Sequence, residues 1–207
     1  EFVTLLRFWL GMHVFAAECA CPWCGEAQDR LGYHALTCKK TGLKVLRHDG
    51  LREVFLRHCV LGAVEAERET PDLLPDSNER PADVLLRASP NLSTLKILNF
   101  AGSAHACLDF AVTHTLQPKF IERASVSAGV AAAEYECKVK DKAYATKCNQ
   151  NGLDFVPMVT EVYGVWGQRA KPVLKFVSRA VANRKNLDED VAVTYLQRAC
   201  SMVLQRH

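Results

Sequence analysis

Residues 107–113 read CLDFAVT, a short apolar run that carries a single acid, Asp109. Residues 82–86, ADVLL, have the same character and contain Asp83, and residues 155–164, FVPMVTEVYG, form a third such run. Apolar runs of this length predict buried strands rather than helices. Strands that are buried on both faces need helices packed against the sheet, so these segments predict an α/β fold.

Four longer segments have the spacing or composition of helices that would cover such a sheet. The first places Phe55 and Cys59 one helical turn apart. The second segment, residues 123–148, is rich in Ala, Glu and Lys. Gly129 is the one residue in it that disfavours a helix, and Asn151-Gly152 is the predicted end. The predicted helices cover residues 43–62, 123–148, 170–184 and 188–206.

Connecting segments and caps complete this outline. Residues 68–80 contain two prolines among polar residues and predict a loop, while residues 89–106 predict a turn, a strand and a second turn. Asn186 is a candidate N-cap for the last helix, whose first turn carries the acids of residues 188–190. Acids in that position are favoured by the helix dipole.

The bulk composition fits a globular protein with a small additional module. The chain has 207 residues, 24% of them charged, and a net charge of +3, which permits a nucleic-acid partner without requiring one. Nine cysteines with scattered spacing make a poor disulfide framework and indicate a reducing compartment. We expect an N-terminal module over 1–42, an α/β domain over 43–166, and C-terminal helices over 167–207 packed on its core.

The first twenty residues are apolar enough to raise the question of a targeting or membrane segment. Arg7 and His13 interrupt the run, and no basic stretch precedes it. We therefore interpret it as a folded segment, either a helix or a strand and turn, with no membrane partner. The chain begins with Glu rather than Met, so we expect it to be a fragment of a longer protein.

A zinc site is predicted within residues 21–38, CPWCGEAQDRLGYHALTC, which we call the knuckle. Two residues separate the first two cysteines, nine residues separate the second cysteine from a histidine, and three residues separate that histidine from a third cysteine. Three thiolates and one imidazole form a closed tetrahedron for structural Zn²⁺ and leave no position for a reacting water. The predicted ligands are Cys21, Cys24, His34 and Cys38.

Two neighbouring side chains are rival ligands. Cys19 is too close to Cys21 to share a chelating turn comfortably, and His13 is a weaker rival still. The alternative to a metal site is a chance alignment of free cysteines with a surface histidine. Gly25 favours the metal site, because a left-handed residue after Cys24 closes the tight turn that such ligand pairs need.

Asp83 and Asp109 form a second constellation, since each is an acid inside an apolar strand. Buried carboxylates are costly unless they are paired or bind a cation, and two on neighbouring strands could share a divalent ion. The helix that follows carries Lys140 and Tyr144 on one face, with Lys138 and Lys142 as competitors. The alternative is that each acid caps a strand or pairs with an arginine and that the lysines form a solvated face.

The order of these motifs resembles a known family. CPWCG…HALTC is followed by RHDGLR, RPADVLL, LDFAVTH, the Lys/Tyr helix and FVPMVTEVYG. This order is similar to the C-terminal region of non-LTR retrotransposon polyproteins, in which a CCHC zinc knuckle precedes a restriction-endonuclease-like domain of the PD-(D/E)xK type. The resemblance covers roughly residues 5–166 and implies a mixed sheet flanked by helices.

The resemblance also implies roles for individual residues. Asp83 and Asp109 correspond to the two acids that hold catalytic Mg²⁺ or Mn²⁺, and Lys140, four residues before Tyr144, corresponds to a catalytic lysine moved onto the following helix. The chain departs from the family at Ala82, which separates Pro81 from Asp83, and at Ala111, where a restriction enzyme has its lysine. The stretch between the two acids is also longer than in the family. These departures leave open a degenerate copy that does not cut.

The family further implies function and surroundings. Such a domain nicks target DNA to prime reverse transcription in the nucleus. The resemblance also implies two further partners, the rest of the polyprotein and the RNA of the element. Arg47, His48 and Arg52 follow the knuckle as a basic patch for DNA phosphates, together with Lys138 and Lys142. The alternative is that both arginines are solvated and that His48 packs on the knuckle.

The remaining polar and aromatic candidates have simpler interpretations. Glu65 and Glu67 could place an acid near the metal, but they are more typical of a surface pair. Glu161, inside an apolar strand, predicts an ion pair with a core arginine. The tryptophans predict packing in the core or the knuckle rather than stacking on bases; they are Trp9, Trp23 and Trp166.

Overall fold

The computed structural model describes residues 2–75, 79–87 and 105–206. Within these ranges the chain forms a mixed α/β fold with a four-stranded sheet flanked by helices. The turn and the strand predicted after residue 88 lie outside the described residues. The description resumes at His105, where an observed strand begins. The expected α/β class is therefore confirmed at the level of its architecture.

In the part of the chain that the structure describes, six strands form two sheets. A two-stranded hairpin consists of β1 (Cys19–Ala20), directly before the knuckle, and β2 (Ala27–Gln28), within it. The main sheet has the order β3 (Ala66–Arg68), β4 (Val84–Arg87), β5 (His105–Thr113) and β6 (Asp154–Glu161). The first two pairings are antiparallel and the β5–β6 pairing is parallel, so the chain crosses over the sheet between β5 and β6.

The crossover is a broken helix rather than the continuous helix predicted over 123–148. It consists of α4 (Pro118–Val126), α5 (Val130–Tyr135), a π-helix (Glu136–Ala145) and α6 (Thr146–Gln150). The break falls at Gly129, whose φ of 89° lies in the left-handed region that glycine adopts without steric cost. The predicted end of this region is confirmed, because Asn151 caps α6.

Three long helices cover the other face of the sheet: α3 (Leu43–Gly62), α7 (Ala170–Lys185) and α8 (Glu189–Arg206). Their buried side chains form one core with alternate residues of β5 and β6, which include Leu108, Phe110 and Met158. Strand residues of the opposite parity, such as Cys107 and Phe155, pack against the crossover. Alternation along each strand thus divides the interior into two layers.

The boundary between α7 and α8 corrects the predicted cap. Asn186 adopts a left-handed conformation, with φ of 52°, and ends α7 instead of beginning α8. The Asp188 side chain accepts a hydrogen bond from the Asp190 backbone N–H at 2.8 Å and so caps the last helix. Asparagine tolerates the left-handed region better than most residues, which explains its place at a helix C-terminus.

The N-terminal segment contains α1 (Phe2–Trp9), and the knuckle contains the short α2 (Tyr33–Thr37). The rings of Phe8 and Trp9 contact Tyr163, which follows β6. Much of α1 is nevertheless exposed. Phe2, its first residue, is 75% accessible, and Leu10, directly after its last residue, is 64% accessible. In the described ranges, each helix is too short or too polar to span a lipid bilayer.

Candidate functional site

The knuckle brings its four predicted ligands together. Cys21 follows β1, Cys24 lies in the turn of the hairpin, His34 lies on α2, and Cys38 caps the C-terminus of that helix. Their ligand atoms all lie within 4.8 Å of one another. Gly25 adopts a φ of 77°, which gives the hairpin the left-handed turn expected from the sequence.

Distances within the cluster match a tetrahedral ion. Cys21 Sγ lies 3.9 Å from Cys38 Sγ, and Cys24 Sγ lies 3.2 Å from His34 Nε2. A tetrahedron with Zn–S bonds of about 2.3 Å has S–S edges of roughly 3.8 Å. The four residues could therefore hold a zinc ion, while Cys19 is exposed and His13 lies outside the cluster.

Asp29 fixes the histidine ligand in place. Its carboxylate accepts hydrogen bonds from the backbone N–H groups of Tyr33 at 3.1 Å and His34 at 2.9 Å. These bonds satisfy donors at the start of α2 that no helical carbonyl reaches. On the other side of the imidazole, Glu26 lies 3.7 Å from His34 Nδ1, where a carboxylate orients a ligating ring.

The thiols of the knuckle influence one another strongly. Burial disfavours the thiolate of Cys21, but hydrogen bonds from the backbone of Trp23 and Cys24 and from His34 lower its pKa to about 6. The backbone of Glu26 favours the thiolate of Cys24, yet burial and the adjacent thiols raise its pKa to about 11. Crowded thiols can ionise together only when a cation compensates their charge, which is the environment of a structural zinc ion.

A second site lies where β4 meets β5. Val84 pairs with Leu108 across the antiparallel ladder, and the Asp83 N–H donates to the Leu108 carbonyl at 2.9 Å. Asp83 therefore stands opposite Asp109, which lies in the middle of β5. Directly opposite residues of adjacent strands have their side chains close together. The structure thus brings the two predicted acids to one place.

Lys140 completes this site from the π-helix. Its ammonium group donates to Asp109 Oδ1 at 2.9 Å and lies 2.7 Å from Asp109 Oδ2. Of the three competing lysines, Lys138 instead pairs with Glu134 at 3.4 Å, and Lys142 is exposed. The ring of Tyr144 packs against Phe155 at 5.6 Å between centroids, and burial together with the charge of Asp109 raises the pKa of the Tyr144 hydroxyl.

Burial and charge set the protonation of the two carboxyls. Burial, opposed by Lys140 and assisted by the charge of Asp83, raises the pKa of Asp109 to about 6. Burial also disfavours the charged form of Asp83, but the hydrogen bonds and charge of His48 outweigh it and lower the pKa of that carboxyl. Asp83 is therefore the acid that ionises readily, and Asp109 is the acid whose ionisation depends on a neighbouring cation.

The carboxyl pair has the chemistry of a divalent-cation site, although it supplies few ligands. Asp109 Oδ2 is buried and receives no well-aligned hydrogen bond, which leaves a carboxylate lone pair for a further partner. Carboxylate oxygens are the ligands that Mg²⁺ prefers. Among the described residues, the knuckle is the one group of three or more Cys, His, Asp or Glu side chains close enough to hold an ion.

The sequence predicted that His48 either contacts DNA or packs on the knuckle, and its observed partners differ from both predictions. Its Nε2 lies 2.9 Å from Asp83 Oδ2 and its Nδ1 lies 3.0 Å from Asp49 Oδ1. The hydrogen bond to Asp83, partly offset by burial, raises the pKa of His48. His48 therefore orients the first acid of the site instead of packing on the knuckle. The adjacent Asp49 is the signal that could have revealed it, since an acid next to a histidine favours its charged form.

The predicted basic patch does not form on the surface. Arg47 is 2% exposed and donates to the carbonyls of Leu36 and Leu43, so it ties α2 to α3. Arg52 is 3% exposed and pairs with Glu69. Buried guanidinium groups need acceptors inside the protein; carbonyl groups supply them for Arg47 Nε and Nη2, and Glu69 supplies one for Arg52. The alternative prediction, that both arginines are solvated, is also wrong, because both side chains are buried.

Other candidates also have partners that the sequence did not suggest. Glu161 accepts hydrogen bonds from the backbone N–H groups of Ala131 and Ala132 at the start of α5, so its partner is a helix N-terminus and not an arginine. Glu67 pairs with Arg87 at 2.6 Å on the exposed edge of the sheet. Of the tryptophans, Trp166 is buried in the core as predicted, whereas Trp23 is 68% exposed.

The described fold and its two sites define a mixed α/β protein with a Cys₃His cluster that could hold zinc and a lysine-paired carboxyl pair in its central sheet. Comparison of the chain with protein-family models, with curated proteins and with solved structures found no match.

Proposed function

We propose that this chain is a metal-dependent DNA endonuclease domain with a structural zinc knuckle, of the restriction-endonuclease-like kind found in non-LTR retrotransposons. The observation that carries the proposal is the contact between Lys140 and Asp109, directly beside Asp83. Two acids and one lysine at the centre of a mixed sheet are the groups that phosphodiester hydrolysis at a metal site requires.

Asp83 and Asp109 would hold Mg²⁺ or Mn²⁺ through carboxylate oxygens. When bound, the ion would stabilise the charge that develops on the phosphate and favour ionisation of the attacking water. His48 contributes by fixing Asp83 Oδ2, which also accepts a hydrogen bond from the Phe110 N–H at 2.6 Å. The site therefore starts with one acid already oriented and ionised, which reduces the reorganisation needed for reaction.

Lys140 supplies the positive group next to the reacting phosphate. Its ammonium donates protons in hydrogen bonds and can orient water or a phosphate oxygen. Hydrolysis adds hydroxide from water to phosphorus and a proton to the departing O3′, which leaves a 5′-phosphate and a free 3′-OH. In a retrotransposon, such a 3′-OH would prime reverse transcription. We propose nuclear action on DNA, with the rest of the polyprotein and element RNA as further partners.

Plasmid nicking tests this function. Zinc-loaded protein with Mg²⁺ or Mn²⁺ is expected to convert supercoiled plasmid into the open circular form, and Asp109→Asn is expected to remove this activity. Asp141→Asn is the matched control, because Asp141 follows Lys140 on the π-helix but its carboxylate pairs with Arg169. Equal rates for wild type and Asp109→Asn would rule out this site as the source of cutting.

A second candidate is a degenerate module of the same fold that binds nucleic acid or protein without cutting. It is favoured by the small ligand set, since the described residues supply two acids at this site and no third. The same assay distinguishes the two. Retention of plasmid at low salt without nicking, in wild type and Asp109→Asn alike, is the result expected of the degenerate module.

A further inference from the structure

A cavity separate from the carboxyl pair lies at the C-terminal end of β5. Its volume is about 400 Å³, within the range of small-molecule sites. Five elements converge on it: the knuckle helix α2, the start of α3, the end of β5, the start of α4, and the junction of α5 with the π-helix. Ligands of α/β proteins bind preferentially outside the carboxyl ends of parallel strands, and β5 and β6 are the parallel pair here.

The charges around this cavity are predominantly positive. Lys44, Arg47, Lys119 and Lys138 line it, against a single acid, Glu134. Glu134 is itself paired, with its carboxylate 3.6 Å from Lys119 and 3.4 Å from Lys138. The cavity therefore has an excess of cations that internal ion pairs do not neutralise, which favours an anionic ligand.

Two buried donors on the cavity wall have no acceptor. Arg47 and His114 are 2% and 4% exposed, and Arg47 Nη1 and His114 Nε2 have no hydrogen-bond partner among the described residues. The Leu116 N–H donates to His114 Nδ1 at 3.0 Å, so the ring proton of the neutral imidazole lies on Nε2. Both groups are thus donors, and because a buried donor without an acceptor is unfavourable, this wall favours a ligand that accepts hydrogen bonds.

The remainder of the wall is apolar and aromatic. Val112, Tyr135 and Val139 line the cavity beside the cationic groups. An inorganic anion alone would leave this surface bare, whereas a ligand with an anionic group joined to a flat apolar ring would cover both parts. Tyr135 also lies between this cavity and the carboxyl pair, because its ring centroid is 6.0 Å from Lys140 Nζ.

We infer that this cavity is a nucleotide site, in which the phosphate accepts hydrogen bonds from Arg47 and His114 while the sugar and base lie against Tyr135 and the flanking valines. The nucleotide is either free or the end of a nucleic-acid strand, since both present the same phosphate and ring. The inference does not depend on cleavage, because it uses none of Asp83, Asp109 and Lys140. A protein that cannot nick DNA would still bind the nucleotide.

Binding to the zinc-loaded chain tests this inference. The probes are thymidine 5′-monophosphate, thymidine, inorganic phosphate, and a short oligonucleotide with either a 5′-phosphate or a 5′-hydroxyl. Calorimetry gives the affinities, and the ¹⁵N resonances of the His114 ring report contact at the site. We expect the monophosphate to bind more tightly than thymidine or inorganic phosphate and to shift the His114 signals.

Two variants and one control locate the binding. His114→Phe keeps a ring against Tyr33, which stacks edge-on at 5.2 Å, but removes the donor, and should weaken monophosphate binding at least about tenfold. Lys44→Gln changes an exposed side chain with little risk to folding and should weaken it about threefold. Lys185→Gln removes one positive charge at the far end of α7 and should leave the affinity unchanged.

The comparison of probes identifies the source of the nucleotide. Tighter binding of the 5′-phosphorylated oligonucleotide than of the monophosphate supports a strand end, and tighter binding of the monophosphate than of the phosphorylated oligonucleotide supports a free nucleotide. Equal affinity for thymidine and its monophosphate would overturn the inference. So would wild-type affinity in both His114→Phe and Lys44→Gln, or His114 signals that no probe moves.

Discussion

At the scale of single residues, the buried polar groups determine what each site can do. Asp109 lies in the middle of an apolar strand and is stabilised by Lys140, which comes from a distant helix. Sequence spacing indicated the acids because an acid in a short apolar run is conspicuous. It did not indicate that Arg47 would be buried, because a basic run after a knuckle looks the same whether its side chains face water or carbonyl groups.

Replacement of the site lysine should abolish activity without unfolding the chain. We expect Lys140→Gln to lower the nicking rate at least about 100-fold, since general acid–base and positioning groups contribute 10²–10⁴-fold. Lys147→Gln on the adjoining helix α6 is the control and should stay within about threefold of wild type, because the Lys147 ammonium pairs with Glu79 at 2.5 Å. Equal losses in the two variants would show that Lys140 has no special role.

Zinc binding should depend on the four ligands of the knuckle. We expect one zinc ion per chain in the wild type, and Cys21→Ser should lose it and unfold at a lower temperature, because metal binding contributes directly to the folding of such modules. Cys19→Ser is the control, since Cys19 is exposed and lies outside the cluster. Metal analysis with thermal unfolding checks both points, and a full complement of zinc in Cys21→Ser would contradict the site.

At the scale of secondary structure elements, the crossover between β5 and β6 is the segment that positions the chemistry. Its middle is a ten-residue π-helix, whose wider turn is uncommon and often occurs at functional sites. The sequence predicted one helix here because its alanines, glutamates and lysines favour helix throughout. Composition does not distinguish π from α geometry, so the widening that directs Lys140 to Asp109 could not be predicted.

The break at Gly129 within this crossover offers a test at the same scale. Gly129 has φ of 89°, and an added Cβ would meet Val165 Cγ1 at 3.4 Å. We expect Gly129→Ala to lower the free energy of unfolding by about 1–2 kcal/mol, the cost of a left-handed alanine. Ser127→Ala, at an exposed extended position, should cost less than about 0.5 kcal/mol. Urea unfolding of both variants measures the difference, and equal stabilities would contradict the left-handed conformation.

At the scale of the whole molecule, the C-terminal helices are part of one core with the sheet. Phe176 on α7 and Leu196 on α8 belong to the same buried cluster as Phe55 and Phe110. Helix and strand positions were largely predictable from periodicity and apolar runs. The partners of buried polar groups were not, because contacts such as His48 with Asp83 or Glu161 with the start of α5 join residues far apart in the chain.

Stability of the whole chain should depend on pH through Glu136. Burial, opposed by the charge of Arg169, raises the pKa of this carboxyl from 4.5 to about 7. The folded state therefore binds more protons than the unfolded chain between these values, and the contribution of Glu136 to stability falls as pH rises through that window. Glu136→Gln should remove this loss and be more stable than wild type at pH 8 by about 1–2 kcal/mol.

Urea unfolding between pH 5.5 and 8, with zinc present throughout, checks this difference. The gap between variant and wild type should be small at pH 5.5 and widen toward pH 8. A gap that is constant with pH, or that favours the wild type at pH 8, would contradict the burial of a neutral Glu136.

The central claim is that Asp83, Asp109 and Lys140 form one metal-dependent cutting site. The most direct measurement is the rate at which zinc-loaded protein nicks supercoiled plasmid as Mg²⁺ is added, in wild type and in Asp83→Asn. The proposed function predicts nicking that requires Mg²⁺ in the wild type and falls to background in the variant. Nicking that persists in Asp83→Asn, or a wild type that never exceeds the variant at any Mg²⁺ or Mn²⁺ concentration, would contradict it.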